Sequence, residues 1–206
     1  MRTTRQGHRH PLLLYRRTMD RIWPYTLVLG LLLLAAYLFA LVDKSAWLNI
    51  SSDVLLLVGA VVALILCAFA FVSRFMAYVQ VFSDHLRLVT PFLRTNISFR
   101  RVRSIHPVLM QQLFPPKESK WAQRRFLEAF YGKTVVVVEL RSYPMDPSML
   151  KLFLPTAMFS PQATGLVFVV PDWMKFSTEL DSMFGTWLQV QRNQARSQTV
   201  SQWDVR

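Results

Sequence analysis

The chain contains a single cysteine, Cys67, which excludes a disulfide framework and any zinc site built from several thiolates of this chain. Glycine is scarce, with six scattered residues and no cluster, so there is no Gly-rich loop to cradle a phosphate. No serine lies in a G-x-S-x-G context. Acidic residues are only half as numerous as basic ones, 12 against 24, giving a net charge of +12. That imbalance points to an anionic partner. Charged residues make up just 17% of the chain while 52% is apolar. Disorder is thereby excluded, a purely soluble protein is disfavoured, and lipid becomes a better candidate partner than nucleic acid.

Two long charge-free runs account for much of that apolar excess. Pro24–Val42 and Val54–Val72 would each span about 28 Å as a helix, the thickness of a hydrocarbon core. A domain of this length rarely holds two helices apolar on every face, so the reading is a transmembrane hairpin, residues 24–72, rather than two core helices. The connector Asp43–Asp53 is short enough to make the spans antiparallel. A cleaved signal peptide is the competing reading of the first run. It is disfavoured by the length of that run, the lack of an A-x-A site and the second span that follows.

Orientation follows from the flanks. Arg2, Arg5, Arg9, Arg16, Arg17 and Arg21 precede the first span against Asp20 alone, and the connector holds only Lys44 against Asp43 and Asp53. After the second span, basic residues again outnumber acidic ones. Both termini are therefore expected on the cytoplasmic side of the cell (inner) membrane. Trp23, Tyr25 and Trp47 near the span ends suit the headgroup zone. Residues 1–23 read as a basic cytosolic tail, and the His8-Arg9-His10 triplet within it as solvated charge rather than a metal site.

From Phe75 the pattern changes to short segments divided by turns, giving a cytosolic folded part over 75–191. Tyr78–Phe82 and Leu86–Val89 read as a hairpin turned at Ser83-Asp84-His85, and Ile97–Phe99 as a third strand. The period then fails at Val102 and Ile105, which predicts a bulge or brief turn. Thr134–Leu140, Met149–Leu154 and Leu166–Val170 read as three further strands. Asp172 is a good N-cap for an amphipathic helix carrying Trp173, Phe176, Leu180, Met183, Phe184, Trp187 and Leu188. Residues 192–206 read as a flexible tail.

The stretch Ser83–Ile105, SDHLRLVTPFLRTNISFRRVRSI, resembles the first hairpin and third strand of bacterial pleckstrin-homology-like (PH-like) domain membrane proteins. The spelling shared is a polar turn, an L-R-L strand, a second turn, Ile-x-Phe and a basic Arg-Val-x-Ser-Ile segment. Trp173–Val190 is similar to that family's closing helix. The resemblance implies a membrane-anchored α+β chain, a two-helix transmembrane hairpin followed by a PH-like curved β-sheet or barrel closed by a C-terminal amphipathic helix. Two departures stand out: Pro91, where the family usually bends with glycine, and a basic insertion over about 109–133, in which Gln123–Tyr131 reads as a short helix.

No converging acid, base, nucleophile or ligand set is legible, so no catalytic residue, metal or cofactor is assigned and the chain is not expected to be an enzyme. The basic residues carry the stronger signal. Arg94, Arg100, Arg101 and Arg103 lie on and beside two predicted strands, while Lys117, Lys120, Arg124 and Arg125 cluster with Trp121 in the insertion. Guanidinium groups grip phosphate while an aromatic ring rests in the interface. The expected role is a binding or scaffolding protein contacting anionic lipid headgroups, a protein partner, or both. The alternative is an accessory subunit docking on a membrane complex through Gly30, Ala35, Ala36, Gly59, Ala60 and Ala63. A lipid-acting enzyme ranks below both. Nucleic acid is excluded as a partner because spans, strands and a helix absorb the aromatic residues.

Overall fold

The structure, a computed structural model, describes residues 6–42, 50–118 and 121–203. The connector residues Asp43, Lys44 and Trp47, with Arg2, Arg5 and Lys120, lie outside the described residues. The chain divides into two compact units, residues 15–76 and a second unit made of 1–14 together with 77–206.

The first unit is a pair of helices, α1 (Leu13–Val42) and α2 (Ile50–Met76). Both are long and apolar enough to cross a membrane, over Leu13–Leu41 and Val54–Met76. Leu32, Phe39, Leu55 and Ile65 are each more than 60% exposed, an arrangement suited to lipid and costly in water. The helices meet along small residues. Ala60, Ala63, Cys67, Ala70 and Ser73 recur every three or four positions on α2 and are all buried. On α1, a Cβ added at Gly30 would come within 3.0 Å of Leu64, so glycine permits the close approach. Near the other end of the pair, the Arg74 Nη1 lies 3.1 Å from the Asp20 carboxylate, and its guanidinium stands over the Phe71 and Phe75 rings at 4.2 and 4.5 Å. Trp23 joins this group edge-on to Phe71.

The second unit holds two small antiparallel sheets. Strands β1 (Gln6–Pro11), β2 (Tyr78–Phe82), β3 (His85–Val89) and β4 (Arg94–Ser98) form the first, in that order. Strands β5 (Val102–Leu109), β6 (Thr134–Leu140) and β7 (Gly165–Phe168) form the second. The 3₁₀ turn Phe99–Arg101 carries the chain between them, and the register of β5 on β6 shifts between Val102 and Ser104. Both the turn and the bulge agree with the loss of period seen in the sequence. Besides the connecting chain, Leu13 N–H donates to the Val169 carbonyl at 2.9 Å. The sheets are separate ladders rather than one continuous closed barrel.

Helix α6 (Trp173–Trp203) packs over the unit with Phe176 and Leu180 fully buried. The Phe176 ring meets Phe168 and His10 at 5.8 and 5.1 Å, while Phe184 and Trp187 close on Phe99. The stripe read from the sequence is thus the packed one. At the start of α6 the Asp172 carboxylate accepts from Lys175 N–H at 3.1 Å. That bond holds the Asp172 carboxyl below the usual carboxylate range.

Three sequence expectations need correction. Within the segment 1–23, expected as a basic cytosolic tail, Gln6–Pro11 is a sheet strand and α1 begins at Leu13, so the folded unit has a strand before the hairpin and resumes after it. The strand was invisible locally because QGHRHP has no alternation of apolar residues. Its anchor is long-range. Buried His10 Nε2 lies 3.0 Å from the Glu179 carboxylate, whose other oxygen accepts from His8 N–H at 2.8 Å. A Cβ at Gly7 would collide with that carboxylate and approach Val81 O to 2.9 Å, which requires glycine there. Second, Met149–Leu154 is not a strand but part of helix α5 (Pro147–Phe153). Pro147 at its start and the buried Leu150 and Leu154, four apart, follow the helical period. Third, α6 continues through 192–203 rather than ending in a flexible tail, since no proline interrupts it.

Removing the Glu179 carboxylate in Glu179→Ala leaves His10 and His8 N–H without their partner. The loss expected is about 1–3 kcal/mol, read from thermal or urea unfolding in mild detergent, and Gly7→Ala shifts stability in the same direction. For Asp172 the folded pKa is depressed, so its stabilisation is present above the unfolded carboxylate pKa and is lost as pH falls through the folded one. Asp172→Asn therefore narrows the difference between melting temperatures at neutral and acid pH.

Candidate functional site

Strand direction sorts the basic residues into two groups. In the first sheet Pro11, Tyr78, Val89 and Arg94 share one cross-strand row. Pro11 is where the chain leaves β1 for α1, and Tyr78 is where it returns from α2. This edge, the hairpin end, therefore carries the β3–β4 turn and Arg94. Strand β4 then runs five residues to Ser98, about 13 Å at the usual rise. Arg100 and Arg101 follow beyond its opposite end, beside the Ser83-Asp84 turn, where Phe99 N–H donates to Asp84 O at 3.1 Å.

The four arginines grouped by sequence are consequently split. Arg94 is at the hairpin end, while Arg100, Arg101 and Arg103 gather at the other, all exposed. They are joined there by Arg141, which sequence reasoning missed: Arg141 N–H donates to Arg101 O at 2.7 Å. Arg103 and Arg141, with Glu139, Leu140, Ala163 and Thr164, line a depression of about 420 Å³. The bulge at Val102–Ser104 falls at Arg103, and Ser104 Oγ holds the Glu139 carboxylate at 2.7 Å. Arg101 has a structural duty as well, its Nη1 bonding Tyr143 O at 2.6 Å. Only the pairing of Val102 with Leu140 brings Arg141 here, a signal that no local pattern contains.

The insertion opens with the short helix α3 (Met110–Leu113), and its basic residues behave as one group. Helix α4 (Trp121–Leu127) turns Leu127 inward and leaves Trp121, Arg124 and Arg125 exposed, with Trp121 at 72%. The i, i+4 spacing sets the Arg125 guanidinium 5.5 Å from the Trp121 ring centroid. Together with Glu128 they line a depression of about 350 Å³. Lys117 is exposed just before the helix, and Lys120 lies outside the described residues. The insertion joins the end of β5 to the start of β6, and β7 runs toward that same end, where Val169 meets Leu13. It thus belongs with the hairpin end.

No family model matches the chain, and no match is found among curated proteins or solved structures.

A third basic surface lies on one face of the first sheet, where Arg9, Gln80, Arg87 and Asn96 form a cross-strand row. Arg9 stands over Tyr78 at 4.9 Å, and Arg87 over Phe82 at 4.7 Å while reaching Asn96 Oδ1 at 3.3 Å. Neither arginine is among the candidate site residues of the sequence, Arg9 because its segment reads as a tail. His85 stacks on Phe82 and lies 2.6 Å from Asp84 Oδ1. Among the described residues no group of three or more His, Cys, Asp or Glu is placed to hold a metal ion.

The small residues considered for docking are partly occupied. Gly30, Ala60 and Ala63 are buried within the helix pair, and a Cβ at Gly59 would meet Leu33, whereas Ala35 and Ala36 are exposed.

These roles separate by mutation. Arg101→Ala removes the bond to Tyr143 and lowers the unfolding midpoint by an amount equivalent to about 0.5–1 kcal/mol. Arg103→Ala, at an exposed side chain with no such bond, leaves the midpoint unchanged in the same thermal assay.

Proposed function

We propose that this chain is a membrane-anchored binding module with a PH-like domain, which works by contact with anionic groups at the cytoplasmic face of the cell (inner) membrane. The PH-like reading is supported by the four-plus-three strand order with a terminal helix packed over it. The cytoplasmic assignment rests on the excess of arginine and lysine on either side of the two apolar runs. Catalysis forms no part of this reading.

One observation carries the lipid contact: Trp121, Arg124 and Arg125 are exposed together at the end of the second unit where the chain passes into and out of the apolar helices. Each basic residue near an anionic leaflet contributes about 1 kcal/mol. A domain joined to the spans at both Leu13 and Met76 is held at high effective concentration near headgroups, so a few such contacts suffice to orient it.

A second contact is favoured by a separate observation, the convergence of Arg100, Arg101, Arg103 and Arg141 at the opposite end of the sheet. Paired guanidinium groups suit carboxylates or phosphates of a protein partner. The accessory-subunit alternative enters through this surface more readily than through Gly30, Ala60 or Ala63, which the helix pair itself uses.

The two contacts are tested on intact protein taken from its native membrane after crosslinking, with lipids and proteins identified by mass spectrometry. Arg124→Ala with Arg125→Ala is expected to reduce co-purified anionic lipid several-fold and to leave protein crosslinks unchanged. Arg103→Ala with Arg141→Ala is expected to do the reverse. Unchanged lipid in the first variant removes the lipid contact, and unchanged protein crosslinks in the second remove the partner contact.

A further inference from the structure

The turn between β3 and β4 is built tightly and carries an exposed aromatic tip. Thr90 N–H donates to Leu93 O at 2.7 Å, Leu93 N–H returns to Thr90 O at 3.3 Å, and the buried Thr90 hydroxyl adds a bond from Leu93 N–H at 3.1 Å. Pro91 follows Thr90 at the second turn position, where a fixed φ is favourable and no N–H is needed. That placement explains the proline that departs from the family pattern. Phe92, the next residue, is held at the tip with 56% of its surface exposed.

Beside it stands α5, a helix with apolar side chains on both sides. Leu150 and Leu154 are buried, yet Met149 and Leu152 are 52% and 76% exposed. Phe153 stacks on Phe92 with ring centroids 6.5 Å apart, which joins turn and helix into one raised apolar surface. Arg94 and Lys151, both exposed, flank it.

The location is what gives this surface meaning. The β3–β4 turn lies in the row of Pro11 and Tyr78, at the hairpin end of the sheet. The turn at the opposite end is Ser83-Asp84, polar and acidic. A sheet that spends a phenylalanine on one turn and an aspartate on the other is polarised along its strands. Amphipathic proteins that rest in a bilayer interface have this pattern, large apolar groups set among cations that meet the phosphates.

We propose that Phe92, Met149 and Leu152 form an apolar foot that enters the interfacial zone of the bilayer, with Arg94 and Lys151 on its headgroups. The proposal rests on reading α1 and α2 as membrane spans. It differs from the headgroup contact at Trp121 in requiring penetration below the phosphates rather than attraction to them. The occupant is lipid because the patch is apolar, cation-flanked and set at the chain's own passage into the apolar helices.

The test uses the full chain reconstituted into vesicles of phosphatidylcholine and phosphatidylglycerol. In a Cys67→Ala background, Phe92→Cys, Leu152→Cys, Ser83→Cys and, within α1, Leu31→Cys are each labelled with an environment-sensitive fluorophore. Probes at 92 and 152 are expected to emit to the blue of the probe at 83. Their quenching by aqueous iodide should be several-fold weaker and their quenching by nitroxide lipid several-fold stronger, with the probe at 31 the most protected. If 92 and 152 are as open to iodide as 83 while 31 stays protected, the foot is overturned and the spans stand. Iodide access at 31 overturns the membrane reading, and the foot with it. Limited proteolysis matching that of the parent protein confirms that each labelled variant is folded.

Discussion

The pairing of β1 with β2 is the constraint on which the rest depends. These strands are neighbours in the sheet but are separated in the chain by both apolar helices, so the hairpin is the loop of a β-hairpin. Pro11 faces Tyr78, and Leu12 N–H donates to Ala77 O at 3.1 Å. The ladder therefore closes only when α1 and α2 run antiparallel and bring their outer ends together. Small residues do this by letting the helices approach, and the Asp20–Arg74 pair ties them near those ends. Closing so long a loop through flexible chain would carry a larger entropic cost. Two helices packed through Gly30, Ala60 and Ala63 leave less of that loop free.

Much of the second unit is built on that ladder. The Glu179 carboxylate reaches from α6 to His8 and His10 on β1, so the terminal helix is clamped to a strand made before the spans. Gln80 Nε2 donates to Gly7 O at 2.9 Å, across the irregularity between Gln6 and Arg9. Leu13 N–H then reaches Val169, bringing the end of β7 to the same place. Sequence-distant contacts of this kind form slowly.

How far the sequence reveals this fold follows from how local each signal is. The apolar runs, the β2–β3 hairpin, β6 and the buried stripe of α6 are written in runs, alternation or helical spacing, and each is where such patterns say. Strand β1 carries no pattern because its partner supplies the fit, from seventy positions away along the chain. Helix α5 was misread for the opposite reason. Its Met149 and Leu152 are apolar and exposed, so MLKLFL looks like a strand buried on alternate faces. For the candidate site, the grouping of Trp121 with Arg124 and Arg125 was legible from their nearness in the sequence, but the pairing of Trp121 with Arg125 was not, because the helix begins at Trp121 rather than at Gln123. The split of Arg94 from Arg100, Arg101 and Arg103 was not, since it depends on which end of β4 lies beside Pro11 and Tyr78.

That split changes what a basic surface can do. A net charge of +12 spread evenly would be drawn to any anionic surface without orienting on it. Here the cations form groups with different companions. At the hairpin end they stand with Trp121 and Phe92, rings that favour a lipid interface; at the other end Arg103 and Arg141 stand with Glu139 and Thr164, which favours a polar ligand of defined shape. Arg103 and Arg141 attract anions while Glu139 between them repels any negative group placed out of register, so the depression suits a small anion held on the guanidinium groups better than a diffuse anionic surface. The two ends of the sheet therefore offer different chemistry, one basic and aromatic, the other a pair of guanidinium groups around a carboxylate.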